Sequence, residues 1–242
     1  MAQYINPYSV FKLDPGKNYI TPKFNELRKI RKRNLAELDL QEGPTVSIKG
    51  FTFDRNTLDQ YFEELEKEGV LSHHLTIWKN RPLHKFLEEG NTSIFHDDLQ
   101  PLTENPGLHE FIAPYFIEQY GKLLMEAVRD RKASDVDLLV KQELPFDPEM
   151  RAKAYEKAYK FLNYQLKDAQ NVQRKIDTAE SYRQILPILP AFFDGIRHAY
   201  KPYLQEEEPL FSSEEEKEEA KKWGVGVAIG VALAGLLYLI LK

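Results

Sequence analysis

Trp223 to Leu241 reads WGVGVAIGVALAGLLYLIL, nineteen residues without a charge. As a helix they span about 28 Å at ~1.5 Å per residue, close to the ~30 Å hydrocarbon core of a bilayer. A helix of that length inside a water-soluble core keeps a polar face, and this stretch has none. It therefore reads as one transmembrane helix. Lys221 and Lys222 precede it, Trp223 stands where an interfacial aromatic is expected, and Lys242 follows. Lysines on the N-terminal flank hold that side in the cytoplasm. The expectation is a tail-anchored, single-pass membrane protein with its N-terminal body in the cytoplasm. Gly226, Gly230 and Ala234 make one small-residue row along the anchor, and Gly224, Ala228 and Ala232 make another. Such rows allow close helix approach in lipid. They are read either as ordinary membrane-helix composition or as a homo-oligomer contact through the anchor.

Immediately before the anchor, residues 206–222 form an acidic tether. Eight carboxylates fall between Glu206 and Glu219, interrupted by Lys217. Of 38 acidic and 33 basic residues, removing this tether and Lys242 leaves 30 and 29, so the body is nearly neutral. A broad basic field for nucleic acid is absent, which argues against a nucleic-acid partner. Cysteine is absent as well, which excludes disulfides, zinc–thiolate sites and thiol nucleophiles. Met1 to Val10 carries neither a basic region nor a long apolar run, unlike a secretory signal.

The body reads as mainly α, a helical bundle with a small β-hairpin near 45–53. Asn6-Pro7 is a cap followed by proline at the first helical position, and Thr21-Pro22 repeats that signal. The helix after Thr21-Pro22 is expected to reach Leu40, with Phe24, Leu27, Ile30, Leu35 and Leu38 apolar. Alternation through Val46, Ile48, Phe51 and Phe53 around Lys49-Gly50 gives the hairpin. Asp54 caps a third helix, with Gly69 as its stop. Short helices follow over Ser72 to Lys79 and Pro82 to Glu89. Phe111, Ile112, Tyr115, Phe116 and Leu124 mark the next helix, and Ser134 is the expected cap of a short one. Asp147-Pro148 opens the longest helix, expected to run toward Leu186. Tyr155, Leu162, Ala169 and Ile176 recur at seven residues, with Ala158, Val172 and Ala179 on the neighbouring seam. That pattern suits a helical hairpin packed within the chain or a dimeric coil, and the first is preferred. The resulting division is an N-terminal helical domain over 1–105, a helical hairpin or bundle over 106–205, the tether 206–222 and the anchor 223–241.

The first seventy residues resemble a degenerate J-domain, the helical module of co-chaperones. The resemblance lies in Asn6-Pro7-Tyr8-Ser9-Val10-Phe11-Lys12-Leu13-Asp14 as the opening helix, and in the basic second helix with Leu27-Arg28-Lys29-Ile30-Arg31-Lys32-Arg33. In that family the second helix faces a seventy-kilodalton heat-shock chaperone. The family's His-Pro-Asp trigger is missing; Leu40-Gln41-Glu42-Gly43-Pro44 stands in its place. The resemblance implies at most a recruiting role, without stimulation of a chaperone ATPase.

Arg28, Lys29, Arg31, Lys32 and Arg33 are the candidate contact for a protein partner or anionic lipid; the bland reading is a solvated helix face, with Glu37 four residues after Arg33. The six histidines, His96-Asp97-Asp98 among them, show no metal-ligand spacing. Phosphate loops, nucleophile elbows and kinase signatures do not occur. No catalytic residue, cofactor or metal is assigned, and the chain is read as a non-enzyme. The expected function is a tail-anchored adaptor, receptor or scaffold that recruits a protein partner to a membrane surface, with the basic helix or the aromatic stretch Phe111 to Tyr120 as the partner face. The alternative is a membrane-perturbing effector whose anchor oligomerises after the body receives a signal.

Overall fold

Asn6 decides how the chain begins. Its side chain accepts from the Tyr8 amide at 3.0 Å and caps a one-turn helix, α1 (Pro7–Val10), with proline at the first position. The computed structural model describes residues 4–17, 19, 25–40, 43–96, 99, 102 and 104–204. The Thr21-Pro22 start, Phe24, Asp97, Asp98, the acidic tether and the anchor with Gly226, Gly230 and Ala234 lie outside the described residues. Among those described, no helix is long and apolar enough to cross a membrane. The described chain is mainly helical, with one two-stranded antiparallel sheet. Its contacts divide into two units, Met1–Phe116 and Ile117–Lys242.

In the first unit, α2 (Asn25–Asp39) leads into strands β1 (Thr45–Ile48) and β2 (Phe51–Asp54), then α3 (Arg55–Leu65). Lys49 and Gly50 both have positive φ, +48° and +84°, as a tight turn between twisted strands requires. Val46 opposes Phe53 in the register, and both are buried. Asp54 and Thr57 close a reciprocal capping box on α3. Ion pairs join Arg28 to Glu66, Arg31 to Asp59 and Glu63, and Arg55 to Asp39. Partners descend along α3 as positions ascend along α2, so the two helices run antiparallel. Phe11, Leu27, Phe53, Leu58, Phe62 and Leu71 belong to one buried cluster.

Helices α4 (Val70–Lys79) and α5 (Arg81–Glu89) complete the helical hairpin of this unit. The expected stop at Gly69 is corrected. α3 already ends at Leu65, and Gly69, at φ +80°, stands at the N-terminal cap of α4. Gly90, at φ +73°, terminates α5.

α6 spans Pro106–Arg129, with Pro114 inside it. In the second unit it is followed by α7 (Ala133–Val140), α8 (Pro148–Asp168), α9 (Val172–Ser181) and α10 (Asp194–Tyr200). Ser134 lies inside α7 rather than capping it; Lys132 holds the cap position without a side-chain bond. The single long helix expected from Asp147 is also corrected. It stops at Asp168, and Asn171 caps α9 through the Arg174 amide at 2.8 Å. Asparagine prefers to cap over continuing a helix. The break disperses the seven-residue seams. Tyr155, Ala158 and Leu162 are buried, whereas Val172 is 66% exposed.

Gly121 permits a close approach of α6 to α8. A methyl group added there would meet the Ala154 carbonyl oxygen at 2.9 Å. Tyr120 donates to the Leu139 carbonyl at 3.1 Å and Tyr200 to the Leu162 carbonyl at 3.4 Å. Each buried phenol thereby satisfies its proton while filling the core.

Candidate functional site: an aromatic groove beside the head of α8

The basic residues of α2 are largely spent on neighbours. Arg31, its side chain only 21% exposed, reaches Asp59 at 2.7 Å and Glu63 at 3.1 Å. Lys29 pairs with Glu26 at 3.0 Å and Arg33 with Glu37 at 3.9 Å. Arg28 lies 3.6 Å from Glu66. Lys32 is exposed, and no ion pair involves it among the described residues. The cluster therefore presents much less free positive charge than its sequence suggests, and Arg31 acts as a clamp between helices. In the Phe111 to Tyr120 stretch Ile112, Ala113, Phe116 and Tyr120 are buried, whereas Pro114 is exposed and Phe111, Tyr115 and Ile117 are half-buried.

Two histidines belong to a buried polar network that tethers the N-terminal strap to α4 and α5. Asn6, 0% exposed, donates through Nδ2 to the Tyr4 hydroxyl at 3.0 Å and to the His74 carbonyl at 3.1 Å. The Tyr4 hydroxyl lies 3.0 Å from His74 Nδ1. Burial, with His73 adjacent, lowers the His74 pKa to about 3. Burial pushes the Tyr4 phenol well up. On α5, Glu88 accepts from the Asn6 amide at 3.1 Å and the Ser9 hydroxyl at 2.7 Å, with His84 Nε2 at 3.1 Å from its other oxygen. Burial alone would raise the Glu88 pKa, but hydrogen bonds from His84, Ser9 and the Asn6 amide outweigh it and hold the carboxyl below its usual value. Among the described residues, no group of three or more His, Asp or Glu is placed to hold a metal ion.

A recess suited to a partner lies in the second unit. It encloses about 520 Å³, and Pro148, Ala152, Tyr155, Ile188, Pro190 and Phe192 give it apolar walls. Phe192 is 46% exposed while its ring rests against Tyr155 and Tyr159 at centroid distances of 6.1 and 5.9 Å. Arg197 braces the wall that carries Pro190 and Phe192. Its guanidinium donates to the Leu189 carbonyl and to the Asp194 carboxylate, pinning the proline-bearing turn between them. At the rim, Arg151 is taken by Glu143. Lys141, on the same rim, makes no ion pair among the described residues. Rigid aromatic and proline walls with one open cation can take an extended polypeptide segment. No apolar spacing in the sequence marks this groove, whose walls come from α8 and from the turn at Ile188 to Phe192. No protein-family model, curated protein or solved structure matches the chain.

Proposed function

We propose that this chain is a membrane-tethered adaptor that recruits a polypeptide partner to a bilayer surface. The observation that carries the proposal is the charge-free run from Trp223 to Leu241, for which lipid is the favourable solvent. The acidic residues from Glu206 to Glu219 give the body reach above the surface, since like charges extend a linker. The groove beside α8 supplies the partner face. Its occupant is an apolar segment bearing a carboxylate: the walls take the apolar side chains and Lys141 takes the charge. Lys29, Lys32 and Arg33 add an auxiliary contact to anionic headgroups, and the J-like opening helices give a recruiting module without a His-Pro-Asp trigger.

Carbonate fractionation of cells expressing the full-length chain tests the tether. The protein is expected in the washed membrane pellet, and removal of 223–242 should release it. A full-length product that stays in the supernatant overturns the proposal.

A further inference from the structure

A second recess in the same unit, of about 710 Å³, is lined by Arg131, Glu180, Ser181, Arg183, Gln184 and Pro187. It shares no lining residue with the aromatic groove. Arg131 departs from the local backbone rule. The Arg131 amide donates to the Val128 carbonyl at 3.1 Å and the Lys132 amide to the Ala127 carbonyl at 3.0 Å. This paired ending of α6 requires a left-handed residue at 131, and φ there is +56°. Glycine or asparagine normally fills that position, because a larger side chain crowds its own backbone. Arginine has been placed there, and its guanidinium carbon lies 5.0 Å from the centre of the buried Tyr182 ring. Among the described residues it makes no ion pair with a carboxylate.

Arg183 stands on the same recess, paired with Glu180 at 3.2 Å. The other Glu180 oxygen, Oε2, is buried and has no hydrogen-bond partner. Ser181 spends its hydroxyl on the Thr178 carbonyl at 2.6 Å. What remains is one guanidinium over an aromatic ring without a carboxylate partner, and a second guanidinium lining the same recess.

We propose that this recess binds a phosphate monoester. Arg131 and Arg183 take the phosphate oxygens, for which the guanidinium fork is well shaped. The pairing of Glu180 with Arg183 limits repulsion of the phosphate. The volume is within the range of small-molecule sites. The ligand's source is either a soluble ester or the headgroup of a membrane lipid.

The test uses the full-length chain in detergent micelles, titrated calorimetrically with glycerol 3-phosphate and with glycerol as control. In parallel, the micellar chain is titrated with a water-soluble short-chain phosphatidylinositol monophosphate, with short-chain phosphatidylcholine as control. Arg131→Gly suits the left-handed backbone, so it should melt near the wild type while weakening phosphate-ester binding about tenfold or more. Binding of glycerol 3-phosphate identifies a soluble ester and binding of the short-chain phosphoinositide alone identifies a lipid headgroup; either supports the site when Arg131→Gly reduces it. Wild-type protein that shows neither, or an Arg131→Gly variant that binds equally well, overturns it. Should Arg131→Gly fail to fold, Arg183→Gln is read against the same criteria.

Discussion

Tyr4 and His74 meet through a hydroxyl oxygen and Nδ1 at 3.0 Å, across seventy residues of chain. Asn6 has already spent an N–H on that hydroxyl oxygen. The phenolic proton is thereby directed to His74 Nδ1, which makes His74 the neutral tautomer with its proton on Nε2. Its folded pKa, about 3, lies below the ordinary 6.5. Above pH 6.5 neither folded nor unfolded state carries this proton. As pH falls below 6.5 the unfolded state takes it up first, so stability declines until the folded value is reached. The slope is about 1.4 kcal/mol per pH unit, or about 2 kcal/mol between pH 6.5 and 5. Urea unfolding at pH 7 and pH 5 should show that loss in the wild type. His74→Phe should remove it, while costing about 1–3 kcal/mol at pH 7 for the stranded phenol.

Gly121→Ala should destabilise the second unit, although alanine is worth about 1 kcal/mol over glycine in a helix. The new methyl group meets the Ala154 carbonyl oxygen at 2.9 Å, and backbone cannot swing aside as a side chain can. A net loss of about 1–2 kcal/mol in chemical denaturation is expected. A gain in stability would show that the helices separate without cost.

Arg197→Leu should cost about 3–5 kcal/mol, because it leaves the Asp194 carboxylate and the Leu189 carbonyl without their buried donor. It should also raise protease sensitivity around Leu186 to Phe193, the wall of the groove. Limited proteolysis with mass mapping reads that effect separately from global melting.

Phe192→Glu tests the groove as a partner face. Half the ring is already in water, so stability should change by less than about 1 kcal/mol. A photo-crosslinking residue introduced at Ala191, on the same wall, should capture a polypeptide in wild-type membranes and lose it in the variant.

On α2, Arg31→Ala should cost about 1–2 kcal/mol, since Asp59, Glu63 and Glu66 then face one another without their shared cation. Lys32→Ala should change stability by less than about 0.5 kcal/mol. Equal effects in urea unfolding would contradict the clamp.

Local signals in the sequence were sufficient at some places and not at others. Asn6-Pro7, Lys49-Gly50 and Asp54 each act within four residues and form the cap or turn read from them, whereas Gly69 and Ser134 do not hold the places read for them. The long-helix reading failed at Asn171 because the seven-residue recurrence weighed apolar spacing alone, while one asparagine side chain supplied a competing bond to the backbone. Charge on α2 was legible, but its neutralisation was not, since Asp59, Glu63 and Glu66 arrive from another helix. The same holds for the Tyr4–Asn6–His74 network and for Arg131, whose significance lies in a backbone angle. The groove walls come from α8 and a turn some forty residues later, and no spacing rule joins them.

The strap that begins at Tyr4 has a consequence for synthesis. Asn6 finds its partners in His74 and in Glu88, eighty-two residues downstream. At translation rates of about 5–20 residues per second, Asn6 waits roughly 4–16 s before Glu88 has even been made. Fastening the strap to α5 therefore falls to some of the earliest residues of the nascent chain, long after they leave the site of synthesis.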